Sequence, residues 1–231
     1  MKVLIACEYS GRVRDAFIAA GHEAMSCDLL DTERPGPHYK GSVFDIIEDG
    51  GDLMIAHPPC TYLTCSAEWA YKAPSKINKN LAPDKLYGEE RKAAREEAAE
   101  FFMKLSEAPI PRIAIENPVG VMSTRWRKPD QLIQPYEYGH DASKRTGLWL
   151  KGLPELTPTN QIPPRWVCCK SVIEADEVCL ACHGRYRALP RWANQTDSGQ
   201  NREPPSKDRW KIRSTTWQGW ADGMADQWSN L

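Results

Sequence analysis

The sequence has no apolar run approaching the roughly 18–20 residues of a membrane-spanning helix. Near the N-terminus, Val3–Cys7 offers five apolar residues before Glu8, too few for the core of a secretory signal. The expectation is a cytoplasmic protein (host cytoplasm, if phage-encoded) with no membrane partner. Net charge is nearly absent as well: 30 Lys and Arg against 31 Asp and Glu leave −1. That excludes a global basic field of the kind behind tight nonspecific DNA binding. No internal repeat or low-complexity tract occurs, so repeat and disordered classes fall away. A G-x-G-x-x-G loop is missing, and with it the dinucleotide fingerprint. No H-x-E precedes a P-C-x-x-C, which disfavours deaminase-type zinc.

What is present reads as an α/β protein. "KVLIAC", "EAMSCDLLD", "DLMIAHPPC", "PRIAIENPVG" and "GLWLKGLP" are short apolar runs of strand length. "SGRVRDAFIAAGHE" reads as a helix with Ser10 as N-cap and Gly21 as its stop, and residues 88–108 form the clearest amphipathic helix. Alternating strands and helices predict a doubly wound, mainly parallel sheet. Thr61–Leu86 reads as a long loop, and residues 155–210 as a proline- and cysteine-rich irregular segment. Trp217, Trp220, Met224 and Trp228 recur at helical spacing, so a last helix should pack on the core. The expected organisation is a cofactor-binding and catalytic domain over 1–154, a small Cys-rich, basic insertion over 155–212, and a C-terminal helix over 213–231.

The strand ends carry the chemistry. Proline lacks a backbone donor, so the strand through Ile55 must stop at Pro58 and leave Cys60 on a stiff turn. In open α/β sheets ligands bind at such carboxyl ends. Cys60 is there either a nucleophile or a small buried hydrophobe. "ENP" at Glu116–Pro118 halts another strand, and a carboxyl beside a thiol can manage protons on whatever the thiol attacks. Cytosine needs that pair, because its carbon 5 turns nucleophilic only after addition at carbon 6 with help at ring nitrogen 3. "CEYSGRVR" followed by Asp28 forms a turn and an acid at two further strand ends, the arrangement that holds a nucleoside in doubly wound sheets.

Taken in order, these pieces resemble the cytosine-5 DNA methyltransferases, which use S-adenosylmethionine on a class I methyltransferase fold. The resemblance covers about residues 1–153 and, more weakly, 213–229. It implies Cys60 as the nucleophile in "PPC", Glu116 as the acid in "IAIENP", and Arg145 in "YGHDASKRTGLWL" as the arginine that braces base and acid. For the cofactor it implies Glu8, Tyr9, Ser10 and Gly11 in the first loop, Asp28 and Leu29 at the ribose, Val43 near the adenine, and Pro59. Departures are Tyr9 for the loop's first glycine, Ser42 where an aspartate often stands, Ser143 for the glutamine and Gly147 for the second arginine. Only about sixty residues stand where the family carries its large recognition domain. The partner is accordingly DNA or a free cytidine nucleotide such as dCMP; a further reading is a non-catalytic nucleic-acid-binding protein on the same fold.

Eight cysteines in such a compartment do not imply disulfides. Cys168, Cys169, Cys179 and Cys182 cluster late, and C-x-x-C with a second pair is a candidate structural zinc site, with reduced free thiols as the alternative. From Arg185 to Arg213 eight Lys or Arg face three acids, a strip that suits phosphate contact or a solvated tail alike.

Overall fold

The computed structural model describes residues 1–49, 51–72, 85–169, 171–174, 177–202, 206 and 209–231. Part of the Thr61–Leu86 loop therefore lies outside the described residues.

Strands β1 (Lys2–Ala6), β2 (Glu23–Asp28), β3 (His38–Lys40), β4 (Leu53–Ala56), β5 (Arg112–Pro118), β6 (Gln131–Ile133) and β7 (Thr146–Lys151) form one sheet in the order 3-2-1-4-5-7-6. Pairings from β3 across to β5 are parallel, whereas β7 runs antiparallel to both β5 and β6. This is the doubly wound, mainly parallel architecture that the alternation of strands and helices predicts. The order reverses between β1 and β4, which makes their carboxyl ends the topological switch point.

Period-two alternation assigns the faces. Val3 and Ile5 of β1 join Leu53 and Ile55 of β4 on one face, beneath helix α1 (Arg12–Ala19) and helix α5 (Gln218–Trp228). Leu4 and Ala6 join Met54 and Ala56 on the other, beneath helix α2 (Gly88–Ser106), which contributes Ala99, Phe102 and Leu105. Trp220, Met224 and Trp228 are buried as the helical spacing required, while Trp217 is the half-buried N-cap of α5.

Helix α1 does not start as expected. Gly11, not Ser10, is its N-cap, and the buried Glu8 carboxylate takes the N–H groups of Val13 (2.8 Å) and Arg14 (3.3 Å). Ser10 donates its hydroxyl to Glu8 and accepts the Arg12 N–H at 3.4 Å. Gly21 does stop the helix: its φ of 86° lets its own N–H reach Ile18 O and that of His22 reach Phe17 O.

Short helices α3 (Met122–Arg125) and α4 (Arg209–Ser214) also occur among the described residues. The region expected to be irregular holds a second, antiparallel sheet of β8 (Arg165–Cys168), β9 (Ser171–Ile173) and β10 (Leu189–Arg191), in the order 10-8-9. Neither this sheet nor β3 and β6 carries a run long enough to show periodicity. No helix among the described residues is long and apolar enough to cross a membrane.

Candidate active site

All four residues of β4 are buried, and the strand ends where Pro58 removes the next donor. His57 still donates its N–H to Ala6 O (2.9 Å), so the chain leaves the sheet just beyond it. The turn is then fixed from two sides. Asn117 Nδ2 of β5 donates to Pro58 O (2.8 Å), and the Cys60 carbonyl accepts N–H groups from Leu63 and Thr64 (both 3.1 Å). Val121 N–H reaches Leu63 O at 2.8 Å across Gly120, where a Cβ would stand 2.1 Å from that same carbonyl oxygen. Only glycine permits this approach. Cys60 is thus clamped, half-buried, beside the end of β5.

Glu116 sits on β5, only 9% exposed. Its Oε2 accepts from His57 Nδ1 at 3.1 Å, whereas Oε1 has no hydrogen-bond partner among the described residues. A buried carboxylate oxygen left open in this way costs free energy unless a ligand completes it. Burial pushes the Glu116 carboxyl up, but the Lys144 ammonium, the His57 contact and the Thr146 hydroxyl together outweigh it and hold the group below the usual carboxylate range. Burial pushes the Cys60 thiol up, and the Glu116 charge adds to that; Lys144 and Arg213 pull the other way without prevailing. The resting pair is therefore a thiol beside a carboxylate.

Cys60 and Glu116 thus stand at neighbouring strand ends, and the Glu116 charge acts on the thiol. Arg145 is exposed, and the cation acting on both is its neighbour Lys144. Lys144, His57 and Asn117 complete the arrangement. For His57 and Asn117 a signal exists, since each adjoins a proline that ends a strand. Lys144 has none, because its backbone is set by a distant side chain, Gln134, whose Oε1 accepts the Lys144 N–H (2.9 Å).

A cavity of about 230 Å³ opens at the carboxyl ends of β1, β2 and β4, the switch point itself. Asp28, Leu29, Val43 and Pro59 line it with Cys7, Ser42 and Phe101. Its wall is chiefly apolar, with one carboxylate at the end of β2 and with Pro59 leading directly to Cys60. Glu8, Tyr9, Ser10 and Gly11 are not among its lining residues. Glu8 and Ser10 build the start of α1, and the Tyr9 hydroxyl donates to Lys211 O (2.8 Å), tying α4 to the first turn. A second cavity of about 470 Å³ is lined by Arg12, Lys144 and Arg213 together with Asn194, Thr216 and Trp217.

The four late thiols also converge, with all Sγ atoms within 4.8 Å of one another.

No family model matches the chain, and no curated protein matches it. Among solved structures, one described as a DNA modification methyltransferase encoded within an E. coli prophage aligns over 65% of this chain and 46% of its own, at 13% identity and a TM-score of 0.40. A mutant of DNMT2 from Spodoptera frugiperda aligns over 65% and 49%, at 13% identity and a TM-score of 0.35. The chain spans less than half the length of either. Likenesses this distant do not identify a function, and what can be said of one comes from the site.

Proposed function

We propose that the protein is an S-adenosylmethionine-dependent methyltransferase acting on carbon 5 of cytosine, most naturally in DNA. The observation that carries this reading is the pair of Cys60 and Glu116 on adjacent strand ends, with one buried carboxylate oxygen left open.

The cavity at the switch point suits the adenosyl half of the cofactor. Asp28 can accept from ribose hydroxyls, and Leu29, Val43 and Phe101 offer an apolar slot to a flat base. The start of α1 is already filled by Glu8, so it is closed to phosphate; S-adenosylmethionine carries none. When bound, it supplies an electrophilic methyl group.

The residues then divide the work. Glu116 Oε1 accepts the exocyclic amine of the base, and the carboxyl relays a proton to ring nitrogen 3. Cys60 gives up a proton as its sulfur bonds to carbon 6, so the proton lost by the thiol balances the one gained by the ring. Once Glu116 is neutral its repulsion of the thiolate vanishes, and Lys144 and Arg213 remain to stabilise the sulfur anion. Carbon 5, now enamine-like, takes the methyl group. A base such as water then takes the proton from carbon 5, the Cys60 sulfur departs, and the proton on ring nitrogen 3 returns through Glu116 to that sulfur, which restores the neutral aromatic ring.

A free cytidine nucleotide is the second reading, favoured by the concave cavity in which Arg12, Lys144 and Arg213 could hold one phosphate group. Labelled methyl transfer to duplex DNA, single-stranded DNA and dCMP, with Cys60→Ala as control, separates the readings. Transfer to DNA that the mutant loses supports the first and transfer to dCMP alone the second. No transfer by folded protein, with no binding of S-adenosylmethionine, sinks both and leaves a binding protein on this fold.

A further inference from the structure

We infer that Cys168, Cys169, Cys179 and Cys182 ligate one zinc ion as a closed tetrathiolate centre, and that this centre keeps Asn194 seated on Ser143, thereby positioning Lys144.

The sulfur geometry carries the first part. Cys168 Sγ lies 3.7 Å from Cys182 Sγ and 3.9 Å from Cys169 Sγ. A tetrahedron of zinc–sulfur bonds of about 2.3 Å has edges of about 3.8 Å. Disulfide sulfurs would stand about 2.05 Å apart, and all eight cysteines are free. With all four sulfurs within 4.8 Å of one another there is space for one ion, but none for a cluster with bridging sulfides.

Backbone conformation agrees. Adjacent residues on a strand point to opposite faces, so Cys168 and Cys169 should diverge. Strand β8 ends at Cys168, and Cys169 takes a left-handed φ of 51°, a turn that returns its thiol to the side of its neighbour's. The second pair comes from a tight turn in which Cys182 N–H reaches Cys179 O at 3.3 Å. The segment has little else to fold around. Among described residues 155–206, the buried hydrophobic side chains are Leu156, Val167 and Trp192 besides Cys168 and Cys179 themselves. A core this small calls for a cross-link.

The second part follows the chain outward. β8, which ends in Cys168, pairs with β10, and β10 leads directly into Trp192–Asn194. Trp192 stacks on Tyr136 with centroids 4.0 Å apart and planes 7° from parallel. Asn194 then grips Ser143 from both sides: its Oδ1 accepts the Ser143 N–H, and its Nδ2 donates to Ser143 O, both at 2.9 Å. The next residue is Lys144, whose charge acts on Glu116 and Cys60. This positioning role rests on the reading of Cys60 and Glu116 as the reacting pair; the metal site does not.

The test uses the full chain purified without chelators. Elemental analysis is expected to give one zinc per chain, and none in Cys179→Ser or Cys182→Ser. Mass spectrometry after alkylation should find four fewer modified cysteines before chelation than after it, with the exposed Cys65 reporting reagent access in both states. The rate of Cys60 alkylation at fixed pH should fall several-fold on chelation. It should fall likewise in Asn194→Ala, which keeps its zinc. None of these readouts involves methyl transfer, so an inactive protein leaves them intact. Folded protein without zinc, or with iron in its place, overturns the centre. Zinc bound but Cys60 alkylation unmoved by chelation and by Asn194→Ala overturns the link to Lys144.

Discussion

His57 Nδ1 stands 3.1 Å from Glu116 Oε2, each residue at the carboxyl end of a different parallel strand. The contact leaves the second carboxylate oxygen open and helps to hold the group ionised. Glu116→Gln keeps the shape and removes the proton carrier, so kcat for methyl transfer should drop by about 10²–10⁴-fold. In His57→Ala one influence that lowers the Glu116 pKa is gone, so the acid limb of the pH–rate profile should move to higher pH. An unmoved limb would show that His57 is only a spacer.

The same depressed carboxyl makes stability depend on pH in one direction. A group whose folded-state pKa lies below its unfolded value of about 4.3 contributes stability above that pH and loses it as pH falls through the folded value. Thermal melts of the wild type and Glu116→Gln should therefore differ by a constant offset near neutrality. Below about pH 4.3 the wild type should lose ground relative to the variant. A constant offset down to pH 2 would contradict the lowered pKa.

Cys60 offers a chemical readout. Burial and the Glu116 charge keep its thiol protonated. Neutral Gln at position 116 removes the charge and lowers the thiol pKa, so alkylation of Cys60 at pH 8 should be faster in Glu116→Gln than in the wild type. Lys144→Gln should slow it. Equal rates in all three proteins would mean that access, and not charge, controls the thiol.

Asn117 and Gly120 hold the Cys60 turn. Asn117→Ala strands the Pro58 carbonyl and should cost about 1–3 kcal/mol in denaturant melts. Gly120→Ala drives a methyl group against Leu63 O, a backbone atom that cannot swing aside. It should destabilise by about 1–3 kcal/mol or more, with a loss of activity that Glu116 chemistry does not explain. A stable Gly120→Ala protein with full activity would mean that the turn has another place to go.

The sequence makes the sheet, the long helix and the two chemical strand ends legible for one reason: each is local. An apolar run of strand length stopped by proline announces both the strand and the residue held beyond it, as at Pro58 and Pro118. The start of α1 is only partly legible because Ser10, an ordinary capping residue by type, accepts the Arg12 N–H, while Glu8, buried and two positions earlier, takes those of Val13 and Arg14. Tyr9, out of place as a cofactor-loop residue, makes sense only through its partner Lys211 more than two hundred positions away. Arg145 and Lys144 cannot be told apart without Asn194 and Gln134, which come from elsewhere in the chain.

Helix α5 closes the sheet face that α1 begins, with Trp220, Ala221, Met224 and Trp228 against Val13 and Phe17. During synthesis, the first half of the chain leaves the ribosome long before residues 218–228 do. Until they arrive, the apolar side chains of this face that α5 covers lack that cover. The tie from Tyr9 to Lys211 waits with it. A chain that stops short of α5 therefore exposes an apolar face of the kind that chaperones and proteases recognise.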